Sequence, residues 1–191
     1  MFNSMMPVYA AIVAAALAIA SAAYTLNRQQ SAATLKDRQQ TYAAIMGRKH
    51  LRSQILVSRF EALVFSDFHE RRWRLAGTPA DSFDFQEAQR WMHRSEDLVL
   101  EFARTNQALF ESLAAARTAF PPSPELTQLT EALYHFGTPV IAPAPPDADN
   151  QALEQWKTQA VKQLQALVDK SYSAPTDALL KHLEANMQSK L

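Results

Sequence analysis

Asp67, His69 and Glu70 stand together near the middle of the chain, and Arg90 and His93 form a second group further along. Carboxylate and imidazole side chains in combination bind metals, transfer protons or form pH-sensitive contacts. The pair His69-Glu70 begins like the zinc-binding helix motif, in which a second histidine follows the first by four residues. Position 73 is Trp73, so the motif is incomplete and we predict no metal site at these residues.

Other catalytic patterns are missing from the sequence. Carboxylate-bridged di-metal bundles need a glutamate with a histidine three residues later, and no glutamate of this chain has one. The sequence also contains no cysteine, no phosphate-binding glycine loop and no G-x-S-x-G turn. We therefore predict that the protein is not an enzyme and that it uses no cofactor and no metal.

The charged residues take on a structural meaning if residues 51–76 and 84–120 form an antiparallel helical hairpin. Side chains whose residue numbers add to about 160 would then face each other across the hairpin. The facing pairs of opposite charge are Asp67 with His93, Glu70 with Arg90, and Arg59 with Glu101. We interpret these pairs as salt bridges that set the register of the two helices.

The same region admits a functional interpretation. The side chains of Asp67 and the two histidines would lie between Trp73 and Trp91, where they could form a pH-sensitive or ligand-binding spot. The candidate polar cluster of the sequence is therefore Asp67, His69, Glu70, Arg90 and His93.

The most basic stretch of the chain is Arg71-Arg72-Trp73-Arg74. Arginine beside an aromatic residue is a combination that binds nucleic acid. Acidic residues on both sides neutralise the stretch, however, and the C-terminal end of a helix favours cations through its dipole. We therefore predict no nucleic-acid partner.

The composition predicts an all-α fold. Only three of the 191 residues are glycine, and glycine is the residue of tight turns and bulges in β-rich proteins. Seven of the ten prolines lie between Pro121 and Pro146, so long proline-free stretches alternate with short proline-rich breaks. This distribution is typical of long helices that end at proline.

The opening of the chain predicts a membrane anchor. Residues 5–26 contain no charge and would form about 33 Å of helix, enough to cross a hydrocarbon core of about 30 Å. We expect a retained transmembrane helix in contact with lipid; a cleaved secretion signal and a soluble core helix are the alternatives. Residues 1–60 carry a net charge of +6 and the remainder carries −6. The basic residues after the anchor favour a cytoplasmic C-terminal body over a periplasmic one.

Local signals mark where the later helices begin and end. Gly77 is expected to stop a nearly continuous helix that runs from the anchor, with Gly47 as the position where this helix could bend. Asp84 and Glu87 suit a capping box for the next helix. Ser123 and Pro124 suit the start of a third helix.

The clearest periodic pattern lies in the second helix of the predicted hairpin. From Phe85 to Phe120, nine of the eleven residues at alternating steps of three and four are apolar. A period of about 3.5 residues indicates coiled-coil packing, either within the chain or with another subunit. The candidate interaction seam comprises Met92, Val99, Phe102, Asn106, Leu109 and Leu113.

These observations divide the chain into five segments. We expect a transmembrane anchor at residues 1–26, a juxtamembrane helical stalk at 27–50, a helical hairpin or bundle core at 51–137, a proline-rich linker at 138–149, and short C-terminal helices at 150–191.

The predicted architecture indicates a single-pass membrane-anchored adaptor, scaffold or assembly subunit. It would act through protein–protein contacts, with a protein partner or a second copy of the chain packed on its helices. One alternative is a membrane-tethered periplasmic helical bundle that senses or binds a ligand. The other is a secreted helical protein after signal cleavage.

Overall fold

A computed structural model describes residues 6–77, 79–135 and 140–189, with side chains from residue 17 onward. All regular secondary structure in these ranges is helical. The prediction of an all-α fold is therefore confirmed.

The first helix, α1, runs from Met6 to Ala76 and contains 71 residues, so that it is about 105 Å long. It continues through Gly47, because a single glycine lowers helix propensity without breaking the hydrogen-bond ladder. It ends at Gly77, which has a φ of 60°. Glycine adopts this left-handed conformation without steric cost, so the predicted stop at this position is confirmed.

The predicted transmembrane anchor is wrong. No helix within the described ranges is long and apolar enough to cross a membrane. Residues 17–26 are the part of the anchor whose side chains are described, and Ser21, Tyr24 and Thr25 stand there between weakly apolar alanines. A span needs about 20 predominantly apolar residues, and α1 turns polar from Asn27. The side chains of residues 1–16 lie outside the described part of the chain.

The predicted single-pass membrane location is wrong for the same reason. The lipid contact expected through residues 5–26 loses its basis, and so does the orientation inferred from the flanking charges.

The second helix, α2, runs from Phe83 to Ala119 and packs antiparallel along α1. Ser82 is the N-cap residue, and its side chain makes no capping hydrogen bond. The predicted capping box of Asp84 and Glu87 is not formed, because the Asp84 carboxylate instead accepts a hydrogen bond from His69 on α1. A contact between helices has replaced a local one.

Three shorter helices complete the bundle. The helix α3 spans Pro124–Tyr134, and the Ser123 hydroxyl accepts a hydrogen bond from the Leu126 amide at 3.0 Å, which confirms the predicted cap. The helix α4 spans Asn150–Val168 and leads through a π-helical turn at Asp169–Ser173 into α5 at Ala174–Ala185.

The C-terminal helices pack on the hairpin rather than hanging from it. The helix α4 lies on α1, where Leu164 and Val168 contact Leu56 and Phe60. The helix α5 and the π-helical turn join a second cluster, which contains Tyr172, Ile45 from the middle of α1, and residues from the second half of α2 and from α3. The bundle therefore includes the C-terminal helices.

The described part of the proline-rich linker, residues 140–149, crosses the bundle surface in an extended conformation; we call it the strap. Trp156 Nε1 donates a hydrogen bond to the Ala142 carbonyl at 3.0 Å. Arg71 Nη1 donates to the Pro145 carbonyl at 3.3 Å. These bonds fix the strap to α4 and α1.

The predicted stalk divides at Arg38. Residues 38–50 belong to the bundle, with Arg38, Thr41 and Ile45 buried. Residues 17–37 extend beyond the end of α2, and all of them except Thr34 are exposed. We call residues 17–37 the arm.

Candidate functional site

The face of α1 that meets α2 carries an unusual number of cations. Its residues follow alternating steps of three and four, as in a coiled coil. They are Arg38, Thr41, Ile45, Arg48, Arg52, Ile55, Arg59, Ala62, Ser66 and His69, and we call this row the α1 seam. Polar members of the row bond to α2, since the Ser66 hydroxyl donates to the Ala88 carbonyl at 2.9 Å and Arg48 donates to the Ser112 hydroxyl.

The row of α2 that faces α1 is not the predicted seam. At every second position of the predicted seam, the residue that faces α1 is the one that precedes it in the chain. Ala88, Ser95, Leu98, Thr105 and Ser112 are buried. Leu109 and Leu113 of the predicted seam are also buried, and Phe102 and Asn106 are half-buried. Met92 and Val99 are exposed, at 39% and 41%.

The arginines of the α1 seam explain why a different row of α2 faces α1. Small hydroxyl-bearing residues of α2 leave room for arginine and accept hydrogen bonds from it, whereas a row of large apolar residues could do neither.

The charged residues predicted to pair across the hairpin bond mainly within their own helices. Asp67 accepts from Arg71 at 3.0 Å, and Glu70 accepts from Arg74. Arg90 donates to Glu87 at 3.2 Å, and His93 Nδ1 lies 3.3 Å from Glu96 Oε2. The ion pairs described for these side chains do not join them across the hairpin, because residues three or four apart on one helix are nearer to each other.

His69 alone of the candidate polar cluster makes a contact between helices. Its Nδ1 lies 2.7 Å from Asp84 Oδ1, and the two side chains are each only 16% exposed. Arg72 Nε lies 3.5 Å from the other oxygen of Asp84, and Arg72 Nη1 lies 3.9 Å from Glu154 of α4. Asp84 therefore links two side chains of α1 to the start of α2, and Arg72 extends the network to α4.

Aromatic rings surround this network and limit the access of water. The His69 ring lies edge-on to Phe68 and Phe83, with centroid distances of 5.1 and 6.0 Å. Trp73 contacts Phe85 in the same manner at 4.9 Å. The network thus holds the closed end of the hairpin, beside the turn at Gly77.

Two clefts flank this end of the hairpin. Within the described ranges, no group of three His, Cys, Asp or Glu side chains is placed to hold a metal. A charged cleft of about 340 Å³ lies between the strap and the last turns of α1, lined by Asp67, Glu70, Arg71 and Arg74. An apolar cleft of about 290 Å³ lies on the other side, between Phe60, Leu63 and Trp156.

A buried cation lies at the centre of the bundle. Arg52 is 1% exposed, and its guanidinium carbon lies 4.5 Å from the centre of the Tyr172 ring and 5.8 Å from that of Phe102. Burial lowers the pKa of Arg52 and raises the pKa of Tyr172, because the interior disfavours the charged form of each. The π-helical turn Asp169–Ser173 presents the tyrosine to the arginine, and π-turns often mark functional positions.

The arm presents apolar side chains to solvent on more than one face. Leu17, Tyr24 and Ile19 are 65%, 63% and 71% exposed. Leu17, Tyr24 and Ser31 continue the three-four steps of the α1 seam beyond α2, while Ile19 and Leu26 lie on the opposite side. The seam of the hairpin thus extends into the arm, where no helix from the described part of the chain packs against it.

Sequence reasoning missed the residues that organise the bundle. Arg38, Arg48 and Arg52 are among the basic residues that follow the predicted anchor, and their spacing of ten and four residues places them on one helix face. Asp84 was assigned to a local cap. The periodicity of α1 was the available signal, but it is visible only if arginine is counted as a seam residue.

Together, the fold and these contacts define a helical-hairpin bundle with a projecting arm. No family model, no curated protein and no solved structure matches the chain.

Proposed function

We propose that the protein is an assembly subunit that acts through helix–helix contacts, with the arm as its contact element and a second copy of the chain as its partner. The observation that carries the proposal is the continuation of the α1 seam into the arm. Within the bundle this face is covered by α2, and beyond Ala119 its described residues from Leu17 to Ser31 are exposed. A surface continuous with an existing helix–helix interface suits another helix.

The side chains of the arm favour close approach of a helix. Its seam positions are Leu17, Ala20, Tyr24, Asn27, Ser31 and Thr34. Alanine and serine are small and allow two helices to pack tightly, while Leu17 and Tyr24 supply apolar area. Residues 17–35 correspond to about 28 Å of helix, or slightly less than three heptads.

The charge of the arm favours a second copy over an unlike partner. Between residues 17 and 35 the only charged residue is Arg28. Such a segment has no pattern of charges with which to select a complementary partner. Two copies of one surface can pair about a two-fold axis, which is the commonest symmetry of soluble oligomers.

The test compares two pairs of substitutions that differ in helix face and are otherwise matched. Leu17→Glu and Tyr24→Glu place a carboxylate on the seam, while Ile19→Glu and Leu26→Glu place one on the opposite face at similar exposure. Light scattering after size-exclusion chromatography measures the mass of the full-length chain over a range of concentrations. We expect an assembly larger than a monomer that the seam substitutions dissociate and the others leave unchanged.

Two results would contradict the proposal. The first is a monomeric mass for the unsubstituted chain at every concentration. The second is an equal effect of both pairs of substitutions, because that would reflect the general polarity of the arm and not its seam.

A further inference from the structure

Arg38 stands where the arm leaves the bundle, and its side chain joins two helix ends. It is 2% exposed. Its Nε donates a hydrogen bond to the carbonyl of Ala119, the last residue of α2, at 2.7 Å. Its Nη1 donates to carbonyls beyond the end of α5, at 3.3 Å to Asn186 and 3.2 Å to Met187, and also to Ser189.

These acceptors explain how a buried cation is tolerated. The last carbonyls of a helix have no partner within it and carry about half a negative charge between them. Arg38 meets the last carbonyl of α2 and the carbonyls of the turn that follows α5. The Phe120 ring lies 5.4 Å from its guanidinium carbon. The guanidinium therefore satisfies carbonyl groups from two elements that are distant in sequence.

The segment held in this way lies against the arm. We call residues 186–189 the C-terminal turn. Its residues 187–189 face Asn27, Ser31 and Thr34 across a cleft of about 660 Å³. These three residues are seam positions of the arm. The C-terminal turn thus borders the part of the seam nearest the bundle, and Thr34 is less exposed than its neighbours.

We propose that the C-terminal turn is a latch, held by Arg38, that covers the base of the arm seam and restricts the pairing of a second copy there. In the latched state Arg38 bonds the carbonyls of the turn, and Thr34 is the seam position of the arm that the turn shields, while the seam is open from Ser31 toward Leu17. When the turn leaves, the seam is exposed as far as Arg38. The proposal rests on the function proposed above, because the latch controls access to the same surface.

The first experiment measures how strongly the C-terminal turn shields the arm seam, and it needs no second copy of the chain. The chain contains no cysteine, so a single introduced cysteine reports its own accessibility to a maleimide. We place it at Thr34, on the seam, or at Lys36, which is exposed on another face. The labelling rate of each is compared in the natural background, in Arg38→Gln and in Arg38→Lys.

We expect Arg38→Gln to speed labelling at position 34 by about ten-fold or more, since a hydrogen bond from a charged donor is worth about one order of magnitude in an equilibrium. Arg38→Lys should give an intermediate rate, because an ammonium group cannot reproduce the fork that reaches both helix ends. Labelling at position 36 should change by less than about two-fold. Circular dichroism establishes that each variant keeps its helices.

An unchanged rate at position 34 in a folded Arg38→Gln variant would overturn the latch. An equal rise at positions 34 and 36 would also overturn it, because it would indicate general loosening of the helix.

The second experiment measures the control of assembly. We expect Arg38→Gln to lower the dissociation constant for self-association by about ten-fold, and the added Tyr24→Glu substitution to abolish association. If the natural chain and Arg38→Gln associate equally through Tyr24, the latch proposal fails and the proposed function stands. If Tyr24→Glu has no effect on either, the proposed function fails, and the control of assembly fails with it.

Discussion

Replacing Leu164 by alanine tests whether α4 is packed on α1. Leu164 is completely buried against Leu56, Phe60 and Val168. Burial of a leucine side chain stabilises a fold by about 2 kcal/mol, and the cavity left by its removal adds a further penalty. The expected loss in free energy of unfolding is therefore about 3 to 4 kcal/mol, equivalent to a fall in Tm of about 10 °C for a chain of this size.

Leu167→Ala is the matched control, because Leu167 lies on the same helix and is only half-buried. Both substitutions change helix propensity equally, so the difference between them reports packing alone. We expect Leu167→Ala to cost about 1 kcal/mol. Urea denaturation followed by circular dichroism measures both. Equal and small losses, below about 1 kcal/mol each, would refute the packing of α4 against α1.

Two further predictions concern the polar groups of the bundle. Asp84→Asn removes the charge shared by His69 and Arg72 and should cost about 1 to 2 kcal/mol in urea denaturation at neutral pH; the exposed Asp81→Asn control should cost less than about 0.5 kcal/mol, and equal losses would show that the network does not contribute. Burial raises the pKa of Tyr172 above its unfolded value, so the unfolded chain loses this proton first and stability should fall as the pH rises through about 10 and beyond. Tyr172→Phe should remove that part of the alkaline loss, and parallel stability curves for the two proteins between pH 9 and 11 would contradict the assignment.

The ends of the helices could be predicted from the sequence because their signals are local. Gly77 stops α1 through its own conformation, and Ser123 caps α3 with its own hydroxyl. Neither depends on a distant residue. Asp84 shows the limit of this reasoning, since its carboxylate could cap α2 but bonds to a histidine on another helix.

The hairpin could also be predicted, but the details of its interface could not. The apolar period of α2 indicated a packed helix, and α1 packs against it. The exact row in contact is displaced because Arg48 and Arg52 occupy seam positions of α1, which are usually apolar in helix packing. Pattern arguments assume that charged residues face water, and arginine at a seam with aromatic and hydroxyl neighbours violates that assumption.

The anchor was predicted wrongly and the contact of the C-terminal turn was not predicted, for different reasons. An uncharged, alanine-rich helix is close to the boundary between a membrane span and a projecting helix, because alanine adds little hydrophobicity per residue. The role of Arg38 depends on carbonyl groups far away in sequence. Backbone acceptors have no sequence signature.

The length of α1 has a mechanical consequence. From Arg38 back to Met6 the helix projects for about 48 Å without a break, while its other half is fixed among the remaining helices. Because the helix is held at one end, a tilt of about 5° near Arg38 moves its other end by about 4 Å. Small changes of packing around Arg52 would therefore displace the N-terminal end of α1 by a distance comparable to the size of a side chain.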